Sequence, residues 1–202
     1  MPRLVLASKN KGKLRELETM LAGSSWELCS VADFPELPPV VENGQTFREN
    51  AVKKALTVAN ILKEWTLADD SGLEVDALGG APGVYSARFA GEPGDDRKNN
   101  EKLLRLLAGV PVEQRTARFR CVLALASPGG EIWTTERTCE GLIGLAPRGN
   151  RGFGYDPLFY LPELGVTMAE LPEEKKNEIS HRGKAMRDLL AHLQAIVPDR
   201  ID

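Results

Sequence analysis

Cysteine and histidine are scarce in this chain of 202 residues: there are only Cys29, Cys121 and Cys139, and His181 and His192. No C-x-x-C pair and no H-E-x-x-H occurs, which excludes structural zinc sites, zinc proteases and disulfide scaffolds. The cysteines are expected to be small apolar or half-buried residues. Any metal must then rest on oxygen ligands, which favours magnesium or manganese. Long apolar runs are also missing: nothing approaches the ~18 residues of a membrane helix, and the apolar stretch after Met1 is too short for a signal peptide. Nor is there an excess of positive charge. With 26 Lys+Arg against 29 Asp+Glu the net charge is −3, which argues against a nucleic-acid or anionic-membrane partner. The expectation is a cytoplasmic protein with one domain over residues 1–202.

What remains alternates strands and helices. Residues 3–8 read as a strand, followed by a helix with Leu14, Leu17 and Leu21 on one face. Residues 26–31 read as a second strand running into a Pro-rich loop. Thr46-x-x-Glu49 is a capping-box pattern, and it opens a helix with Phe47, Ala51, Ala55, Val58, Ala59 and Leu62 inward. Thr66-Leu67-Ala68 reads as a buried strand that ends at Asp69-Asp70-Ser71-Gly72. A helix bearing Leu103, Leu104, Leu106 and Leu107 follows, then a hairpin of residues 117–126 with 131–139. A glycine-rich loop, 149–156, precedes a further strand, and Ser180 caps a closing helix with Met186, Leu189, Leu190, Leu193 and Val197 inside. The mixture predicts an α/β fold with a mixed sheet.

Polar residues gather at the expected element ends, where α/β proteins build sites. Ser8, Lys9, Asn10, Lys11, Gly12 and Lys13 form a strand-to-helix turn whose open N–H groups and three lysines suit an anion, or else a solvated basic turn. No G-x-x-x-x-G-K-[ST] occurs, so a P-loop is excluded. Adjacent Asp69 and Asp70 repel one another, and a divalent cation would relieve their burial. Glu42 adds a hard oxygen if the fold brings it near; the alternative is a carboxylate that caps a turn. Phe153, between Gly152 and Gly154 and before Tyr155 and Asp156, offers a ring to a base, a stacking worth about 1–3 kcal/mol; the alternative is a core plug at a bend. Lys176, His181 and Arg182 bring donors suited to phosphate or carbonyl oxygens, whereas His192 is expected to be structural. Of Lys53 and Lys54, one is expected to face solvent and the other to reach the cleft. Carboxylates, cations and a stacking ring together are the inventory for hydrolysing a nucleotide phosphoanhydride.

Six ordered motifs carry a resemblance over nearly the whole chain: Ser8-x-Asn10-x-x-Lys13, Glu42-x-Gly44-x-Thr46-Phe47-x-Glu49-Asn50-Ala51, Ala68-Asp69-Asp70-Ser71-Gly72-Leu73, the run from Gly79-Gly80-Ala81-Pro82-Gly83 to Arg88, Gly152-Phe153-Gly154-Tyr155-Asp156-Pro157, and Ser180-His181-Arg182-Gly183. Together they resemble the inosine/xanthosine triphosphate pyrophosphatase family of house-cleaning enzymes. The resemblance implies an elongated mixed sheet flanked by helices, two lobes with a central cleft, a homodimer and dependence on Mg2+. It implies hydrolysis of dITP, ITP and XTP to monophosphate and pyrophosphate, which keeps these nucleotides out of DNA and RNA. By the same resemblance, Ser8, Lys9, Asn10, Lys11, Gly12 and Lys13 would hold phosphates. Glu42 and Asp70 would hold the metal, and Asp70 would also accept the proton. Lys54, Ser71 and Lys176 would contact substrate, and Phe153, Gly154, Tyr155 and Asp156 would cradle base and sugar. His181 and Arg182 would donate to the 6-keto oxygen that adenine lacks. The rival readings are a non-hydrolysing nucleotide sensor, a pyrophosphatase for modified pyrimidine nucleotides, and a phosphatase that releases orthophosphate.

Overall fold

The computed structural model describes residues 1–197. Its strands are β1 (Arg3–Leu6), β2 (Glu27–Ser30), β3 (Trp65–Val75), β4 (Thr116–Ala126), β5 (Ile132–Ile143), β6 (Phe159–Leu161) and β7 (Val166–Thr167). The α-helices are α1 (Lys11–Leu21), α2 (Phe47–Leu62), α3 (Asp96–Leu106), α4 (Glu173–Ile179) and α5 (His181–Ile196). The strands hydrogen-bond in the order β2-β1-β3-β4-β5-β6-β7. β1 runs parallel to β2 and β3, and β6 runs antiparallel to β5 and β7. This is the mixed α/β sheet that the hairpin and the strand-helix units predict.

The chain folds into two compact units, each assembled from separated segments. Residues 1–70, 121–136 and 185 onward make the first, and residues 71–120 and 137–184 make the second. In the first, β1 is apolar on both faces, with Leu4, Val5 and Leu6 all buried, as a central parallel strand must be. Leu17 and Leu21 from α1, Trp26, Cys121, Leu123 and Leu125 from β4, and Ala185, Met186, Leu189 and Leu193 from α5 complete its core. His192 stacks on Trp133 at 4.5 Å, the structural role expected of it. Thr46 caps α2 by accepting from the Glu49 N–H at 3.1 Å. Glu49 reaches back to the Gln45 N–H at 2.7 Å, one residue before the cap.

The second unit packs Leu73 and Val75 of β3, Leu103 and Leu107, Phe119, Ile143, Leu158, Phe159 and Met168. Arg115 is buried here and donates to the carbonyls of Val110, Gly144 and Leu107. α5 starts hard against α4, since a Cβ on Gly183 would lie 1.8 Å from the Asn177 carbonyl oxygen. Only glycine fits that approach.

The larger departures from the expected boundaries lie in two strands. β5 continues past Cys139 to Ile143, and β3 does not stop at Asp69-Asp70 but runs through them to Val75. The acidic pair therefore lies within a strand and not at its end. None of the three cysteines forms a disulfide; Cys121 and Cys139 are buried and Cys29 is half-buried. Burial pushes the Cys29 and Cys139 thiols up, which makes them poor nucleophiles. No helix among the described residues is long and apolar enough to cross a membrane.

Just beyond β3, Asp76 accepts from Arg118 at 3.0 Å and from the Thr116 hydroxyl at 2.7 Å. These bonds, Arg118 first, hold its carboxyl below the usual carboxylate range. Stability from a depressed carboxylate is complete above its unfolded pKa, about 4, and is lost as pH falls through the folded value. Asp76→Asn is expected to cost under about 1 kcal/mol at pH 7 and nothing once both forms are protonated. Urea melts at neutral and strongly acid pH measure this.

Candidate active site

Side chains alternate across a strand, so Asp69 and Asp70 leave β3 on opposite faces, and each meets a different ammonium. Lys13, from the first turns of α1, donates to Asp69 Oδ1 at 2.7 Å and to the Asp69 carbonyl at 3.0 Å. Lys54, from the middle of α2, is only 7 % exposed. Its Nζ donates to the Asp69 carbonyl at 3.1 Å and to Asp70 Oδ1 at 3.4 Å, and it lies 3.3 Å from Glu42 Oε1. Lys53 is the exposed neighbour and donates to Asn43. Glu42 and Asp70, 28 positions apart in sequence, thus converge on one cation.

Asn50, one turn before Lys54, holds this arrangement together. It is 1 % exposed; its Oδ1 accepts from the Gly44 N–H at 2.8 Å, and its side chain also hydrogen-bonds Asp70. A Cβ on Gly44 would sit 2.7 Å from Asn50 Oδ1, so the glycine lets the Glu42 segment approach α2. Asn50 is not among the expected site residues. The available signal was a residue of poor helix propensity on the inward face of a helix.

Burial pushes the Asp70 carboxyl above its ordinary pKa. The ammoniums of Lys54 and Lys13 oppose the rise and the charge of Glu42 adds to it. Its Oδ2 is buried with no hydrogen-bond partner among the described residues. A buried carboxylate oxygen left bare is costly unless something positive meets it. Among the described residues no three His, Cys, Asp or Glu side chains gather as a metal cage. Two hard carboxylates with one bare oxygen fit a cation that keeps most of its water, as magnesium does.

The turn at residues 8–13 is not the open cradle expected. Asn10 Oδ1 accepts from the N–H groups of Gly12 and Lys13 at 2.9 and 3.2 Å, and Ser8 Oγ accepts from the Asn10 N–H at 3.1 Å. Asparagine is a preferred N-cap, so the protein satisfies those amides itself. The attraction for an anion here rests on side chains: Lys9 and Lys11 are exposed, while Lys13 is tied to Asp69.

The second unit carries its own polar cluster. Lys176, on α4, pairs with Asp156 at 2.8 Å with both side chains buried. Asp156 Oδ2 also accepts from the Phe153 N–H at 3.0 Å. Gly152 has φ +73°, and a Cβ there would meet Asp156 Oδ2 at 2.0 Å, so this turn requires glycine. The half-buried Phe153 ring has Lys176 Nζ 5.0 Å and Arg182 Cζ 5.4 Å from its centre, within cation–π range.

Tyr155 and His181 are placed differently from Phe153. Tyr155 belongs to the core, and its hydroxyl donates to the Ser86 carbonyl at 2.6 Å; burial pushes that hydroxyl up. His181 is 5 % exposed and lies nearly parallel to Phe119 at 4.8 Å. Of the aromatic rings expected to meet a base, Phe153 is the accessible one. Ser71 is half-buried, next to Asp70 on β3.

A model of the Ham1 family matches residues 4–192. A protein of Desulforamulus reducens named dITP/XTP pyrophosphatase is 58% identical over 194 residues, which cover 96% of this chain and 96% of that protein. Among solved structures, a HAM1 protein from Coxiella burnetii matches with a TM-score of 0.88 at 40% identity, covering 96% of this chain and 100% of that one. The Ham1 protein of Staphylococcus aureus matches with a TM-score of 0.86 at 41% identity, covering 96% and 99%.

Removing Lys54 takes away the ammonium that Glu42 and Asp70 share. Lys54→Met is expected to destabilise the fold by about 3 kcal/mol, the scale on which broken buried ion pairs fall. A urea midpoint unchanged from wild type would contradict the charge balance described for Lys54.

Proposed function

The chain belongs to the Ham1 family, and we propose on that premise that it hydrolyses non-standard purine nucleoside triphosphates, dITP, ITP and XTP, to the monophosphate and pyrophosphate. This removes them before they are built into DNA or RNA. The reaction class agrees with the relatives named dITP/XTP pyrophosphatase. The observation that carries the mechanism is the convergence of Glu42 and Asp70 on Lys54 Nζ, with Asp70 Oδ2 bare.

In the proposed mechanism, water attacks the α-phosphorus and pyrophosphate leaves. Asp70 accepts the proton from that water. Mg2+, held by Glu42 and Asp70, supplies neutralisation of the triphosphate and acidification of water when bound. Lys9, Lys11 and Lys13 add positive charge for the phosphates, with Ser8, Asn10 and Gly12 shaping their turn. Lys54 keeps the two carboxylates together, Ser71 contacts substrate, and Lys176 is held by Asp156 for the same purpose.

Phe153 stacks on the base, within a loop formed with Gly154, Tyr155 and Asp156. Arg182, with His181 behind it, donates to the 6-keto oxygen of hypoxanthine or xanthine. The 6-amino group of adenine would leave that donor unpaired, which is how a polar site rejects an analogue. The enzyme acts as a homodimer in the cytoplasm, without nucleic-acid or membrane partners, as one functional domain.

With ITP and magnesium the expected products are IMP and pyrophosphate, with turnover lost in EDTA. Asp70→Asn is expected to cut kcat by at least about 100-fold, the scale of a lost general base, while nucleotide binding stays within a few-fold. Separating pyrophosphate from orthophosphate tests the bond cleaved: orthophosphate would mean attack at the terminal phosphorus, and binding without product would mean a sensor.

A further inference from the structure

The ring that would receive the base is flanked by two glycines in the left-handed region, Gly152 at φ +73° and Gly154 at φ +63°. Such a segment has wide backbone freedom unless it is pinned. On one side the pin is Asp156, which accepts from the Phe153 N–H. On the other side the contacts come from α3, to which the expected site assigned nothing. Asp96 Oδ2 accepts from the Gly154 N–H at 2.8 Å, and Asn100 Nδ2 donates to the Gly154 carbonyl at 2.9 Å. Both backbone groups of Gly154 are therefore held by side chains one helical turn apart.

The Asn100 amide has its orientation set by its surroundings. Its Nδ2 lies between two carbonyls, those of Gly154 and Asp96, the latter at 2.8 Å, and only an NH2 group satisfies both. Asn99, between these two positions and 2 % exposed, anchors the helix itself. It donates to the Ala87 carbonyl at 3.1 Å and accepts from the Ala90 N–H at 2.8 Å. Tyr155 binds the same stretch through the Ser86 carbonyl. The clamp thus stands on a fixed helix, whereas the segment it grips has no regular structure of its own.

We propose that Asp96 and Asn100 are positioning residues for purine recognition: by holding both backbone groups of Gly154, they fix the Phe153 ring in the orientation that receives the base. This deepens the pyrophosphatase reading and rests on it. Neither residue touches substrate; each acts through Phe153. A loosened ring must be ordered at the moment of binding, so the loss falls on affinity for the base-bearing substrate.

The experiment compares wild type, Asp96→Ala, Asp96→Asn and Asn100→Ala by pyrophosphate release from ITP with magnesium, and by calorimetric binding of inorganic tripolyphosphate, which has no base. Asp96→Ala and Asn100→Ala are each expected to raise KM for ITP about tenfold, as for one lost hydrogen bond to a charged or buried partner. Their kcat and tripolyphosphate affinity are expected to stay within about twofold of wild type. Asp96→Asn keeps an acceptor oxygen and is expected to restore KM. Unchanged KM in both alanine variants, an equal loss of tripolyphosphate affinity, or no rescue by asparagine overturns the proposal while leaving the pyrophosphatase reading intact. A wild-type protein that does not hydrolyse ITP overturns both.

Discussion

One buried ammonium makes the acidic part of the molecule possible. Lys54 stands among the Asp69 carbonyl and the carboxylates of Asp70 and Glu42. Without it, β3 would carry an acidic pair through its buried middle with Lys13 left to balance it. A strand separates adjacent carboxylates by sending them to opposite faces, but separation does not remove the cost of taking each from water. Lys13 answers that cost for Asp69, and Lys54 answers it incompletely for Asp70, whose second oxygen stays bare. The residual imbalance raises the Asp70 pKa and leaves it receptive to a further cation.

Much of this was legible in the residues. The apolar periodicities located α1, α2, α3 and α5, and branched or alternating runs located β1, β3 and β4. The scarcity of His and Cys directed attention to oxygen chemistry. Misreadings came where a local rule competed with a distant partner. Asp-Asp-Ser-Gly looks like a turn by composition, yet β3 passes through it because ammoniums from α1 and α2 offset the buried charge. The turn at residues 8–13 looks like an open anion cradle until Asn10 is seen to fill it. Asn50, Asp96 and Asn100 went unassigned because an asparagine or aspartate on a helix carries no information about which loop it will grip.

The second unit solves a different problem, that of keeping an aromatic ring accessible without letting it wander. Glycine on either side gives Phe153 the backbone angles it needs, and a set of side chains takes back the freedom that glycine allows. Asp156 serves twice, accepting from the Phe153 amide and pairing with Lys176, whose ammonium lies near the ring. Arg182 adds a second cation near that ring. Tyr155, next to the half-buried Phe153 and Gly154, and His181, next to the buried Arg182, instead serve as packing.

The patchwork of chain segments in each unit bears on how the molecule is made. The core of the first unit requires Leu4 and Leu6 near the start together with Met186, Leu189 and Leu193 near the end. During vectorial synthesis on a ribosome, β1 and α1 therefore emerge long before α5 exists to cover them. Their apolar faces must wait for the intervening segments to be translated, so neither unit can be harvested intact as one unbroken stretch of chain.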